Sequence, residues 1–139
     1  DYPHAGVGDD AIYMGGNMFN CTASCTFVES RIWAFDKSAM YAGNAASFVT
    51  ASLGTVVFTP QPLNLHGFAQ GTWPSTNTHY FLGGVNSDVV RIHSWTNALS
   101  GGVPVLEATI NLETASGVTS SSTVPSPQSG SGGNLQGND

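Results

Sequence analysis

Residues 1–36, DYPHAGVGDDAIYMGGNMFNCTASCTFVESRIWAFD, decide how this 139-residue chain folds. Ala11–Phe19 is rich in aromatic and thioether side chains and reads as a β-strand, bounded upstream by Gly6, Gly8, Asp9 and Asp10. Arg31–Phe35 reads as a second strand of the same sheet, joined to the first by a cysteine-bearing loop. Behind it, Lys37–Ala42 has the length of a single helical turn, which Asp36 is placed to cap and Gly43 to end.

Working outward, strand signals recur along the chain. Ala46–Leu53 and Thr55–Thr59 are β-rich runs separated by Gly54, the pattern of a hairpin. Pro60-Gln61-Pro62 should stop the second run, because proline cannot donate to a ladder. Leu63–Thr78 has no periodicity and is long for an idle connection, which marks it as a functional or packing loop. His79–Gly84 and Asp88–Trp95 form the clearest hairpin, turning at Gly84-Val85-Asn86-Ser87. In its second strand Val90 and Ile92 share one face, and Val89, Arg91, His93 and Trp95 the other. Val105–Leu112 alternates, with Leu106, Ala108, Ile110 and Leu112 expected inward and Glu107, Thr109 and Asn111 outward.

From Ala115 onward Ser, Gly, Thr, Pro and Asn dominate. Such a segment cannot bury enough apolar surface alone to offset its ordering entropy. The organisation expected is therefore residues 1–114 as folded sheets and 115–139 as a Ser/Gly-rich tail or loop. Short strands with frequent turns and no helix beyond one turn make an all-β protein. Residues 11–59 and 79–112 look like two similar modules, which favours antiparallel blade-like sheets of a partial β-propeller, with a β-sandwich as the alternative.

Charged residues are only 9% of the chain, and in their place stand 16 Ser, 13 Thr, 10 Asn and 17 Gly. Arg31, Lys37 and Arg91 are the only Lys or Arg residues, and the net charge is −6. A phosphate-binding surface needs clustered cations, so nucleic acid is not an expected partner. Neither is membrane insertion, since no apolar run approaches the roughly 20 residues a span requires. Neutral-polar β proteins of this kind point to a secreted or cell-surface location. Because no leader precedes Asp1, the chain is expected to be processed or part of a longer one.

Cys21 and Cys25 stand four apart. A disulfide is the expectation; free thiols are the alternative. Metal is remote, because two thiolates are half of a zinc site and His4, His66, His79 and His93 are scattered. Asn20-Cys21-Thr22 is a glycosylation sequon.

DYPHAGVGDDAIYMGGNMF (1–19), followed by SRIWAFDKSAMYAG (30–43), resembles the repeat pattern of large secreted bacterial proteins that carry a β-propeller-like domain. Asp1, Tyr2, Pro3, Gly6, Asp10, Tyr13, Asn17, Phe19, Ala34, Asp36, Lys37, Met40 and Gly43 stand at the matching places. PQPLNLHG, NTHYFLGG and VVRIHSW look like the next blade, so the resemblance spans about residues 1–112. It implies an architecture and transfers no catalytic residue. It also implies that the partners are the remaining blades of a longer chain or further copies of this one.

No catalytic constellation stands out. Asp9 and Asp10 are adjacent, so on an extended segment they face opposite ways and read as a solvated turn; calcium bound through loop carbonyls is the one cofactor left open, and no other metal is expected. Ser75 lies between His66 and His79, but no G-x-S-x-G elbow holds it. His93 reads as a packed histidine, and Trp33 and Trp95 as core. Trp73 and Tyr80 are candidates for stacking sugar rings, although a plug between blades is the preferred reading of Trp73. The function expected is a non-catalytic extracellular module for surface interaction, adhesion or assembly. The alternative is a fragment of a carbohydrate-active, glycan-binding or glycan-cleaving, propeller protein.

Overall fold

The structure, a computed structural model, describes residues 1–22, 24–64, 77–86, 88–116, 125–127 and 134–136. Strands β1 (His4–Val7), β2 (Ala11–Asn20), β3 (Thr26–Asp36) and β4 (Phe48–Gly54) pair antiparallel in sequence order as the first sheet. Strands β5 (Phe58–Pro62), β6 (Thr78–Gly84), β7 (Val89–Thr96) and β8 (Pro104–Asn111) repeat that order as the second. Helix α1 (Lys37–Tyr41) joins β3 to β4, and a 3₁₀ turn (Ala98–Ser100) joins β7 to β8. Helix α2 (Leu112–Ser116) follows, then a small antiparallel ribbon of β9 (Pro125–Pro127) and β10 (Asn134–Gln136). The protein is all-β, and each large sheet is a blade-like up-and-down meander.

The two sheets pack face to face. Alternation along β2 and β3 turns Ala11, Tyr13, Ile32 and Ala34 inward, where they meet Phe81 and Trp95 from the second sheet and Ala98 from its 3₁₀ turn. Tyr13 is the hub of this core. Its ring lies 3.9 Å from that of His79 at an interplanar angle of 9°, and Phe81 and Trp95 approach it edge-on. The Trp95 indole N–H donates to the Gly102 carbonyl at 2.8 Å, so the largest core side chain leaves no polar atom unpaired.

Asp36 caps α1 as expected, its carboxylate accepting from the backbone N–H groups of Ser38 and Ala39. Gly43 takes the left-handed conformation (φ +72°) behind the helix. The β6–β7 hairpin also forms where the sequence places it, with His79 opposite Trp95 and Gly84 opposite Val90.

Five expectations are corrected. First, β1 lies inside what reads as a glycine-rich boundary, and β3 is longer than Arg31–Phe35. Second, Thr55–Thr59 makes no hairpin with β4. After Gly54 (φ +78°) the chain crosses to the other sheet, and the polar groups of the crossing are taken by side chains of the first. The buried Asn17 carboxamide accepts from the Thr59 backbone N–H at 2.7 Å and donates to the Thr59 hydroxyl at 3.1 Å. Ser30 bridges its hydroxyl to the Asn17 carboxamide oxygen and the Val57 carbonyl. The modules therefore divide between Gly54 and Phe58, not at Thr59.

Third, Pro60 and Pro62 lie within β5 and do not end it. β5 is an edge strand with an irregular register between Phe58 and Gln61, where a missing N–H is tolerated. It lies directly on β1 and β2: a Cβ at Gly15 would sit 1.9 Å from the Pro60 carbonyl oxygen, and one at Gly6 2.5 Å from that of Leu63. Fourth, β8 does not alternate to its end. A bulge pairs Ile92 with Ala108 but His93 with Leu106, so Glu107 is the extra residue and Leu106 changes face. Ala108 and Ile110 turn away from the first sheet, beside Ile92 and Val90, and Leu112 begins α2. Fifth, Trp33, expected in the core, is half-buried on the far face of β3.

Thr59 is a β-branched residue held at φ +51°, a strained conformation that costs about 1–3 kcal/mol. Truncating Asn17 to alanine removes what holds it and leaves the part-buried N–H and hydroxyl of Thr59 without that partner, while the Ser30 hydroxyl keeps the Val57 carbonyl. Urea denaturation should show Asn17→Ala less stable by about 2–4 kcal/mol, while the exposed control Asn20→Ala stays within about 0.5 kcal/mol of the parent.

Candidate interaction surface

The same alternation that buries Tyr13 and Ile32 pushes Ile12, Met14, Trp33 and Phe35 to the opposite face of the first sheet. Register makes them one patch: Ile12 stands across from Phe35, Met14 from Trp33, and Phe35 from Phe48. The rings of Phe35 and Phe48 are 5.4 Å apart, and Phe48 is 57% exposed. At one end of β3 the patch is bordered by the Glu29–Arg31 ion pair, with the Ser52 hydroxyl also donating to Glu29. Those contacts, the serine first and the arginine second, hold the Glu29 carboxyl below its usual range. At the other end α1 presents Met40 and Tyr41, the latter 80% exposed.

The far face of the second sheet is apolar too, but built from smaller groups: Leu82, Val90, Ile92, Ala108 and Ile110. In a two-sheet sandwich the outward positions along each strand are polar. Here both outward faces carry apolar side chains, the larger and more aromatic cluster on the first sheet.

The residues singled out in the sequence are dispersed. Cys21 and Cys25 are bonded, with Cα atoms 4.0 Å apart, and cross-link the exposed loop between β2 and β3. Asn20 is exposed at the end of β2 beside this loop. Tyr80 is on the far face of β6, 36% exposed, one alternation step from Leu82. Trp73, His66 and Ser75 lie outside the described residues. Asp9 and Asp10 form the bend between β1 and β2, where Asp10 accepts from the Tyr13 hydroxyl at 3.0 Å. Among the described residues no three His, Cys, Asp or Glu side chains gather as a metal site.

His79 and His93 are structural in setting. His79 is 1% exposed between Tyr13 and Phe81, with neither ring nitrogen hydrogen-bonded among the described residues. Burial lowers its pKa from 6.5 to about 4, against a smaller upward pull from the Leu63 backbone. His93 is shifted down as well, by burial and then by the Arg91 guanidinium. Burial and then Asp10 push the Tyr13 phenol well above its usual range. What the sequence reading missed is the Asn17 clamp and the Tyr13–His79 stack. The available signal was spacing: Tyr13, Gly15 and Asn17 fall on the inward face of one strand.

The His79 shift has a definite sign. The folded protein holds the neutral ring, whereas the unfolded chain takes up a proton as pH falls through 6.5. Its contribution is complete above pH 6.5 and is lost progressively down to about pH 4, by about 3 kcal/mol at most. Measured by urea denaturation across this window, His79→Phe should be less pH-sensitive than the parent, with His93 and, toward the acid end, Glu29 contributing to the slope that remains.

Compared with family models, curated proteins and solved structures, the chain matches none. Its function has to be read from its own geometry.

Proposed function

We propose that this chain is a non-catalytic, extracellular blade-type module that works by surface contact and assembly. The observation that carries this reading is the far face of the first sheet, where Ile12, Met14, Trp33, Phe35 and Phe48 stand together and partly exposed. A soluble monomer rarely keeps a contiguous apolar patch beyond a few hundred Å² without a use for it. A β-meander with apolar side chains on both faces is what stacking of sheet upon sheet requires. The occupant of the face is accordingly another sheet, carried by further blades of a longer polypeptide.

Extracellular placement is supported by the Cys21–Cys25 bond, which persists in oxidising compartments, and by the scarcity of charge. No helix among the described residues is long and apolar enough to cross a membrane. The same reading links the chain to the secreted repeat proteins that its motif residues resemble, with Tyr13 and Asn17 of that motif at the contact between sheets.

The reading is tested on the 139-residue chain by analytical ultracentrifugation together with binding of a hydrophobic dye. A monomer whose Trp33 fluorescence responds to the dye is expected, and Trp33→Thr with Phe35→Thr should remove that response while keeping the far-ultraviolet spectrum. An oligomer dissociated by the same pair of substitutions would instead make the occupant a second copy. A monomer that leaves the dye unbound would overturn the assembly reading.

A further inference from the structure

On the far side of the second sheet, away from the patch just described, lies an open cleft of about 470 Å³. Its origin is one missing side chain. Gly84 stands opposite Val90 across the β6–β7 ladder, so the row Leu82–Gly84 is interrupted where the neighbouring strand continues. Leu82 and Val90 floor the gap, Phe58 walls one side, and Gln61 and Asn86 bring carboxamides to it. The volume is within the range of sites for small ligands.

We propose that this cleft is a binding subsite for a neutral saccharide. Phe58 is 41% exposed, yet its ring is fixed by inclined contacts with Phe27 (5.2 Å, 62°) and Phe19 (6.4 Å, 89°). A ring held in place and open on one side is suited to stacking against the C–H face of a pyranose, because little side-chain freedom remains to be lost on binding. The Asn86 carboxamide oxygen already accepts from the Asp88 and Val89 backbone N–H groups, both at 2.9 Å. That fixes its orientation and leaves its NH₂ to donate. The Gln61 carboxamide, with no partner among the described residues, offers both a donor and an acceptor to adjacent hydroxyls.

The lining decides the ligand class by elimination. Among the described residues no lining side chain is ionisable, so a phosphate, carboxylate or ammonium group would be desolvated without a counter-charge from them. A wholly apolar ligand would strip water from Gln61 and Asn86 and return no hydrogen bond. A sugar, apolar on its ring face and hydroxylated round its rim, satisfies both parts. Tyr80 lies on the same face one alternation step beyond Leu82, roughly 7 Å along the strand, and supplies a second ring for a longer chain. This assignment does not depend on what covers the first sheet.

The test is a titration of the ¹⁵N-labelled chain with cellotetraose, mannotetraose and chitotriose, each to about 10 mM, which reveals millimolar dissociation constants. Saturable shifts at the amides of Phe58, Gln61, Leu82 and Gly84–Asn86 are expected with at least one sugar. Phe58→Ala and Gln61→Ala should each weaken binding about tenfold or more. Gly84→Val should block it by filling the gap, since a Cβ there meets only the Phe58 carbonyl oxygen, at 3.8 Å. Gln61 is a partly exposed side chain without a structural bond, so its variant remains informative if loss of the Phe58 ring disturbs folding. No saturable shift with any sugar, shifts confined to the first sheet, or unchanged affinity in Gln61→Ala and Gly84→Val would overturn the proposal.

Discussion

One side chain ties the two sheets together. Asn17 sits inside the molecule, 1% exposed, and its carboxamide serves three groups on two other segments: the Ser30 hydroxyl on β3, and the N–H and hydroxyl of Thr59 on β5. A buried amide is costly unless every bond it can make is made. Because these bonds exist only when β5 crosses at this height, they fix where the second sheet begins relative to the first. The glycines at positions 6 and 15 let that crossing come close, and the stack of Tyr13 on His79 then fills the space behind it. Without the clamp the apolar inward faces would still attract each other, but nothing polar would choose the register.

The sequence made some of this visible and hid the rest for physical reasons. Local devices were legible: the Asp36 cap, the left-handed Gly43 and the β6–β7 hairpin are each specified by residues a few positions apart. The crossing at Gly54–Phe58 was not, because its partners, Asn17 and Ser30, are distant in the chain, and a β-rich run separated by one glycine from another mimics a hairpin. Proline in β5 was misread because the rule against it applies to central strands, and centrality is a property of the fold. The β8 bulge defeated simple alternation in the same way, by inserting one residue at Glu107. Of the interaction surface, the apolar content of β2 and β3 was readable but its facing was not. Trp33 counted as core because it is a large strand residue, whereas alternation from the buried Ile32 and Ala34 puts it outside. The cleft beside Gly84 could not be seen, since it consists of an absence opposite a residue on another strand.

The division of labour between the faces follows from this packing. Inward positions use aromatic edges and one satisfied amide to lock two sheets into a unit. Outward positions on the first sheet gather a large, mostly aromatic cluster, whereas those on the second are mainly aliphatic, with Tyr80, Phe58 and two amides beside them. The buried histidines belong to the inward set. Their lowered pKa values make the unit more secure near neutral pH than in acid, an effect of burial in the contact between sheets.

The prolines of β5 also shape the border where the two halves meet. The Leu63 N–H donates to the Tyr80 carbonyl, so the chain leaving Pro62 is still bonded to β6. On its other side β5 is not open: the carbonyls of Pro60 and Pro62 lie so close to β2 and β1 that a side chain at position 15 or 6 would collide with them. Both prolines are buried there, and having no N–H they bring no donor that burial could leave unpaired. The first half of the chain thus occupies this border of the second sheet, and edgewise pairing with another polypeptide is closed off on that side.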